Sequence, residues 1–324
     1  MTLQSNNDTL ITIFGGSGFL GRHLVRALAR RHYRIRVAVR RPDLAGHLQP
    51  LGRVGQIHAV QANLRYPRSV EAAVRDASMV INLTGILHES GRQTFDAVQH
   101  FGAEQVALAA SAFGARVIHV SAIGADEHSP SRYAQSKARG EQAVLAAAPT
   151  ATIVRPSILF GPEDDFFNRF AAMARILPAL PLVGGGLTKF QPVFVGDVAE
   201  AIANLVDQNS GSGKTYEFGG PEVRTFRELM EYVLAVTERS RLLVPVPFGL
   251  AKLQGWFLQF LPNPPLTPDQ VEMLKVDNVV SEDSIRSGLT LQGLGIAPTA
   301  YEAIVPAYLW RFRKSGQFRA DRFA

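Results

Sequence analysis

A chain of 324 residues that is 46% hydrophobic and 19% charged is long enough for one large domain or two fused ones with a substantial core. With no cysteine it has no disulfide framework, no thiolate metal site and no cysteine nucleophile, and that absence leans towards a reducing interior. The net charge of +6 gathers in two places: Arg30, Arg31, Arg34, Arg36, Arg40 and Arg41 near one short segment, and Arg311, Arg313, Lys314, Arg319 and Arg322 in a tail that holds Asp321 as its single acid. No nucleic-acid motif accompanies these cations, and the aromatics among the tail charges suit an anionic membrane surface or a protein partner as well. Residues 1–9 are short and polar, so no export or organelle address is expected; the location implied is cytoplasmic, with a peripheral place on the inner face of the membrane left open.

The apolar run Leu10–Phe14 ends at glycines 15, 18 and 21, and Phe19, Leu20, Leu24, Ala27 and Leu28 then recur at helical spacing. Strand, tight turn and helix in this order make a dinucleotide cradle. The glycines let the backbone turn and let a pyrophosphate approach, while Ser17, Gly18, Phe19 and Leu20 bring free N–H groups at a positive helix end. An ordinary strand-to-helix turn is the plainer alternative. A second strand over 35–39 ends at Arg40 and Arg41, where an NAD-binding unit places an acid about 20 residues past the glycines. A guanidinium there can hold a 2′-phosphate by paired charge-assisted hydrogen bonds, so the reading is NADPH rather than NADH, against a merely solvated strand end.

A third strand over 57–60 exits through Asn63 and Leu64, and Asn63 is a candidate for the adenine edge. A short helix over 69–76 leads to a fourth strand over 79–83 and to Leu83, Thr84 and Gly85, where a small residue again permits close approach. A helix over 94–113 and a fifth strand Arg116–Val120 continue an alternation that specifies a parallel sheet with helices on both faces, an α/β doubly wound fold. In the next helix, over 132–145, Tyr133 and Lys137 stand four residues apart on one face. The ammonium can lower the phenol's pKa for proton transfer and grip the nicotinamide ribose. Seven tyrosines and six lysines in 324 residues would give only ~0.1 such pairs by chance.

The Gly-x-x-Gly-x-x-Gly turn, the stretch 82–85 and Tyr133-x-x-x-Lys137 together resemble an extended or atypical short-chain dehydrogenase/reductase. The stretches 154–162, 192–199 and 216–221, with Thr225 and Glu228, continue the likeness over nearly the whole chain. More narrowly, 119–126, 131–141 and 266–271 are similar to the nucleotide-binding accessory subunit family of respiratory complex I and its bacterial relatives. The resemblance implies a Rossmann nucleotide domain, a tightly held NADPH contacted also by Pro156 and Ile158, and complex I subunits as partners. It also implies a place where catalysis is impaired: the carbonyl-polarising hydroxyl usually found just after the fifth strand would fall at Ala122 or Ile123, leaving Ser121 one step back. Tyr133, Lys137 and Ser121 are thus either a shifted catalytic triad or contacts of the cofactor, the first two as its anchors.

The expected organisation is a nucleotide domain over 1–160, to which 191–218 returns, and a smaller domain over 161–324 with a basic tail. Asp197 suits a helix-start cap. The stretch 211–215 lacks the first glycine of a phosphate loop and reads as a turn; no histidine spacing marks a metal site. His23 and His119 fall in apolar elements. The apolar run 248–261 is too short to span a bilayer, which needs ~20 residues. It reads as one helix packed on its own domain, or else, with 308–324, on a partner or membrane surface. Three functions remain: a structural NADPH-binding accessory or assembly-linked subunit, an active NADPH-dependent reductase or epimerase on a lipid-like or quinone-pathway substrate, and a regulator reporting the NADP(H) ratio.

Overall fold

The computed structural model describes residues 6–261 and 264–315. Six strands alternate with helices: β1 (Leu10–Phe14), β2 (Arg34–Val39), β3 (Ile57–Gln61), β4 (Met79–Asn82), β5 (Arg116–Val120) and β6 (Thr152–Pro156). With Thr215–Phe218 they form a seven-stranded sheet in the order Thr215–Phe218, β6, β5, β4, β1, β2, β3, every neighbouring pair parallel. β1 and β4 are buried on both faces, which is why they read as unbroken apolar runs rather than alternating ones. The strand order reverses between β1 and β4, and a crevice at the carboxyl ends of strands there is the ligand-binding place of such sheets. Phe14 pairs with Ala38 on one side and Asn82 on the other, and Asn82 pairs with His119. The residues that follow these four therefore share one edge.

Helix α1 (Phe19–Arg30) buries Leu20, Leu24, Val25, Ala27 and Leu28. Helix α2 (Pro67–Val74) opens on proline, whose missing N–H would be unpaired in a first turn anyway. The helix expected over 94–113 is broken. A π-helical turn, Asp96–His100, precedes α3 (Phe101–Ala112). Its wider winding presses the Gln99 carbonyl against α4 (Arg132–Ala147), where a Cβ in place of Gly140's hydrogen would stand 2.1 Å from that oxygen. Ser131 caps α4 by accepting the Ala134 N–H at 3.2 Å.

Two compact units result. The first comprises residues up to Pro156 with Val195–Phe218 and Ser281–Ala297; the second comprises Ser157–Phe194, Gly219–Val280 and the chain from Pro298. In the first, helix Val195–Asp207, with Asp197 in its opening turn, is tied to α1. The Arg31 guanidinium donates to Glu200 and Asp207 at 2.6 Å each, and the Tyr33 hydroxyl donates to Asp207 at 2.8 Å. The 211–215 stretch is a turn, with Gly211 and Gly213 at positive φ, feeding Thr215–Phe218. Segment 281–297 joins this unit through Glu217, which accepts the Ser281 N–H at 2.8 Å and donates its own N–H to Leu289 at 2.9 Å.

The second unit is built on aromatic packing among Phe160, Phe167, Phe190, Phe226 and Tyr301, between helices Phe166–Ile176 and Phe226–Val236. Asp164 is buried in it and accepts from the Tyr308 hydroxyl and the Gly161 and Asn168 N–H groups. The apolar run 248–261 forms helix Phe248–Leu258, but it buries Ala251 and Gly255 against Pro268–Met273 and leaves Leu250, Leu253, Trp256, Phe257, Phe260 and Leu261 exposed. The small residues allow the two helices to approach closely, and that contact leaves most of the large side chains outward, Phe248 being packed inward. Of the tail, Phe312 is buried and Trp310 exposed; Phe318, Arg319, Arg322 and Phe323 lie outside the described residues.

Candidate nucleotide site

The turn after β1 is held by backbone contacts that exclude side chains. Gly15 has φ +77°, and its carbonyl accepts the Gly18 N–H at 3.0 Å. A Cβ on Gly15 would lie 3.2 Å from the backbone of Leu83 and Thr84; one on Gly21 would lie 2.5 Å from Gly15 and Gly16 backbone atoms. Gly16, which the spacing argument passes over, is as constrained, with Val37 at 2.8 Å. Gly18 caps α1 with no side-chain acceptor, so first-turn N–H groups, including those of Phe19 and Leu20, lack intrahelical partners and face an end with positive partial charge. Such a cradle, closed to any Cβ and lined with free donors, fits a pyrophosphate. Ser17 lies half-buried beside it, Leu20 is buried, and Phe19 meets His23 edge-on at 5.9 Å.

The rim separates two residues that the sequence treats as a pair. Arg41 is held by Asp43, its Nε donating to Oδ1 at 3.0 Å and to Oδ2 at 3.2 Å and its Nη2 to Oδ2 at 2.7 Å. Arg40 is exposed and has no hydrogen bond or ion pair among the described residues. Further along, Asn63 Oδ1 accepts the Arg65 N–H at 3.1 Å, so that oxygen is committed to a local turn. Leu64 is packed in the core, where Gly102 approaches it. Pro156 closes β6 and accepts the Ile123 N–H at 3.1 Å. Ile158 belongs to the second unit, partly buried against its aromatic core.

Past β4 and β5 lies a buried polar group that the sequence only half reveals. Lys137 is 5% exposed, donates to the Val120 carbonyl at 3.3 Å, and would stand 3.3 Å from a Cβ on Gly85. Burial pushes its pKa down to about 8, with Glu141 opposing. Burial first and Lys137 second push His119 down to about 3, so its ring is neutral. Asn82 uses Oδ1 to accept the Thr84 N–H, which leaves its amide nitrogen to donate to His119 Nδ1 at 3.2 Å. That assigns the ring proton to Nε2, a buried donor without a partner. Ser121 Oγ and Gln99 Oε1 are likewise buried and unpartnered, the Gln99 amide nitrogen being taken by Ser136 Oγ at 3.0 Å. Gln99, Asn82 and His119 were not foreseen as a cluster; only the π-turn and the strand register bring them together. Tyr133 is half-buried, edge-on to Phe95 at 5.9 Å, and its ring centroid is 6.0 Å from Lys137 Nζ. Unpaired buried polar atoms beside a buried lysine are groups a ligand can satisfy.

Comparison with known proteins agrees with this geometry. Residues 11–219 match the model of the NAD dependent epimerase/dehydratase family. Over 326 aligned residues the chain is 38% identical to the Arabidopsis thaliana NADH dehydrogenase [ubiquinone] 1 alpha subcomplex subunit 9, mitochondrial, covering 97% of this chain and 80% of that one. It is 39% identical over 197 residues to a ceramide reductase of Caulobacter vibrioides, 61% of this chain and 60% of the other. Among solved structures, an Escherichia coli NADPH-dependent quinone oxidoreductase complexed with NADPH shares the fold with a TM-score of 0.73 at 19% identity, over 92% of this chain and 99% of that one. No helix among the described residues is long and apolar enough to cross a membrane. A parallel sheet reversing at a glycine cradle, with tyrosine and lysine on the helix after β5, thus has its counterpart in sequence: the chain belongs to the NAD dependent epimerase/dehydratase family of short-chain dehydrogenase-like proteins, alongside the complex I alpha subcomplex subunit 9 relatives.

Proposed function

We propose that this chain holds NADPH as a resident nucleotide and acts as an accessory or assembly-linked subunit of respiratory complex I, on the inner face of the cytoplasmic membrane, with little or no turnover. The observation that carries the reading is the state of Ser121. Its hydroxyl is buried and without a partner among the described residues, and Ala122 and Ile123, where the resemblance puts the carbonyl-polarising hydroxyl, supply none. When bound, the nucleotide supplies hydride chemistry. In this reading the protein's own groups hold it: the free N–H groups of α1 take the pyrophosphate, Arg40 the 2′-phosphate, and Tyr133 and Lys137 the nicotinamide ribose. Its complex I partners are argued from the 38% identity to the Arabidopsis subunit.

A purified preparation is expected to release NADPH on denaturation, detected by mass spectrometry, and the bound nucleotide is expected to keep its near-ultraviolet absorbance when quinone analogues or long-chain ketones are added. The second reading, a reductase on a lipid-like substrate, is favoured by the likeness to the ceramide reductase. Oxidation of the bound nucleotide by such a ketone, abolished in Tyr133→Phe, would select it and reject the first.

The rim yields a sharper expectation. Arg40→Ser should weaken NADPH about 10- to 100-fold, as for loss of a charge-assisted hydrogen bond of about 1.5–3 kcal/mol, and leave NADH unchanged. Arg41→Ser should do much less, because Asp43 already neutralises that guanidinium. Titration of both nucleotides onto stripped protein measures the ratio; equal effects of the two substitutions would remove the 2′-phosphate assignment from Arg40.

A further inference from the structure

The second unit carries its largest apolar side chains on its outside. At 100° per residue, Leu250, Leu253, Trp256 and Phe257 fall within an arc of roughly 120°, opposite the buried Ala251 and Gly255, and the exposed Phe260 and Leu261 follow just past the helix end. Trp256, Phe257 and Phe260 are 51%, 63% and 74% exposed. Trp256 meets the other two rings edge-on at 4.9 and 5.9 Å, so the three form one plate. The strand pair Ala179–Val183 and Leu242–Val246 leads into this helix and leaves Leu242 and Val244 exposed on one face.

The same unit carries cations without acids. Arg239 donates to the Phe312 carbonyl at 2.9 Å and Arg241 to the Ala174 carbonyl at 2.8 Å. Arg241 and Arg175 lie near enough to Arg239 for their charges to add to burial in lowering its pKa. None of the three has a carboxylate partner among the described residues. Arg169, whose guanidinium reaches the Pro265 carbonyl at 3.4 Å, shares one face of Phe166–Ile176 with Met173 and the exposed Ile176, and so links the end of the aromatic helix to the arginine cluster.

We infer that this surface lies on an anionic lipid bilayer, with the aromatic plate in the boundary between headgroups and acyl chains and Arg175, Arg239 and Arg241 on lipid phosphates. Backbone carbonyls fix the Arg239 and Arg241 guanidiniums in place without neutralising them, and Arg175 stands over the Phe312 ring, so the three are complementary to an anionic surface. Aromatic rings with one wet edge are the side chains that settle at such a boundary. A second copy of the chain docking through the same face would bring unpaired guanidiniums towards their own image, which like-charge repulsion opposes. The inference extends the membrane placement proposed above but depends neither on the nucleotide nor on complex I, so the purified chain tests it separately.

Full-length protein carrying Trp310→Phe retains Trp256 as its single tryptophan. It is expected to sediment with phosphatidylglycerol-containing vesicles and not with pure phosphatidylcholine vesicles, with a blue-shifted Trp256 emission quenched by brominated acyl chains. In the parent chain, Arg239→Gln and Arg241→Gln should each weaken that binding about fivefold. Combined Phe257→Ser and Phe260→Ser should abolish it, with circular dichroism and nucleotide content unchanged. No binding to anionic vesicles, equal binding to both kinds, or an arginine variant that binds as tightly as its parent would overturn the inference. A dimer that these serine substitutions dissociate, without vesicle binding, would assign the surface to a second copy instead.

Discussion

Gly21→Ala is expected to cost this protein both its stability and its nucleotide. The added Cβ would sit 2.5 Å from the Gly15 carbonyl oxygen and from Gly16 backbone atoms, and no flexible side chain is available to swing aside. Relief requires α1 to move off the turn after β1. Overpacking of a well-fitted interior costs about 1–3 kcal/mol, and a turn displaced by that movement no longer presents its N–H groups to a pyrophosphate. A nucleotide held at a thousandfold excess over its dissociation constant contributes ~4 kcal/mol, which is lost with it. Against a total of roughly 5–15 kcal/mol for a folded domain, the sum is severe. Gly46→Ala is the control, since nothing lies within 4 Å of its Cβ position, and it should melt like the parent chain. Thermal melting with nucleotide quantification on both variants decides the matter; a Gly21→Ala protein with parental melting and full nucleotide content would show that the turn is not closed to side chains.

Lys137→Met should act in opposite directions on the empty and loaded protein. In the stripped chain the ammonium is buried and its pKa falls to about 8 from 10.5, so between those values the unfolded chain binds more protons than the folded one. Stability therefore rises as pH climbs from about 8 to about 10.5, and below 8 the full penalty, on the order of 3 kcal/mol, is present and level. Methionine fills much of the same volume without the charge. At pH 7 the stripped variant should melt several degrees above the stripped parent and lose the alkaline rise, while retaining at least tenfold less nucleotide, because the ribose loses its charged partner. Melting curves across pH 7 to 10.5, with and without added NADPH, test both halves. A stripped variant less stable than its parent would mean that the lysine's hydrogen bond to Val120 outweighs its burial.

Much of the nucleotide cradle is legible along the chain because it is local. Leu10–Phe14 and Arg116–Val120 begin and end where the apolar runs do, and the four-residue spacing of Tyr133 and Lys137 puts both on one face of α4. What escapes a linear reading is whatever depends on partners distant in sequence. Gln99 meets Ser136 because the helix winds too wide for one turn, and His119 meets Asn82 through the register of two strands. The membership of 281–297 in the first unit rests on Glu217, some sixty residues away, receiving Ser281. Two further signals are local and easily passed over. Asp43 stands two residues past Arg41 and claims it, and Ala251 and Gly255, one turn apart, mark the face of close approach on a helix whose bulky residues draw the eye.

The first unit is assembled from three separate lengths of chain, and this bears on how the protein is made. Every strand that borders the nucleotide crevice emerges from the ribosome before the chain has begun its second unit, whereas the strand that shields the edge of β6 and the segment that braces it come much later. A nascent polypeptide therefore owns a cofactor cradle while one side of its sheet is still bare. Ligand capture during synthesis would steady that intermediate and guard the open strand against pairing with a neighbouring chain, which gives the dinucleotide a part in biogenesis whether or not it is ever consumed.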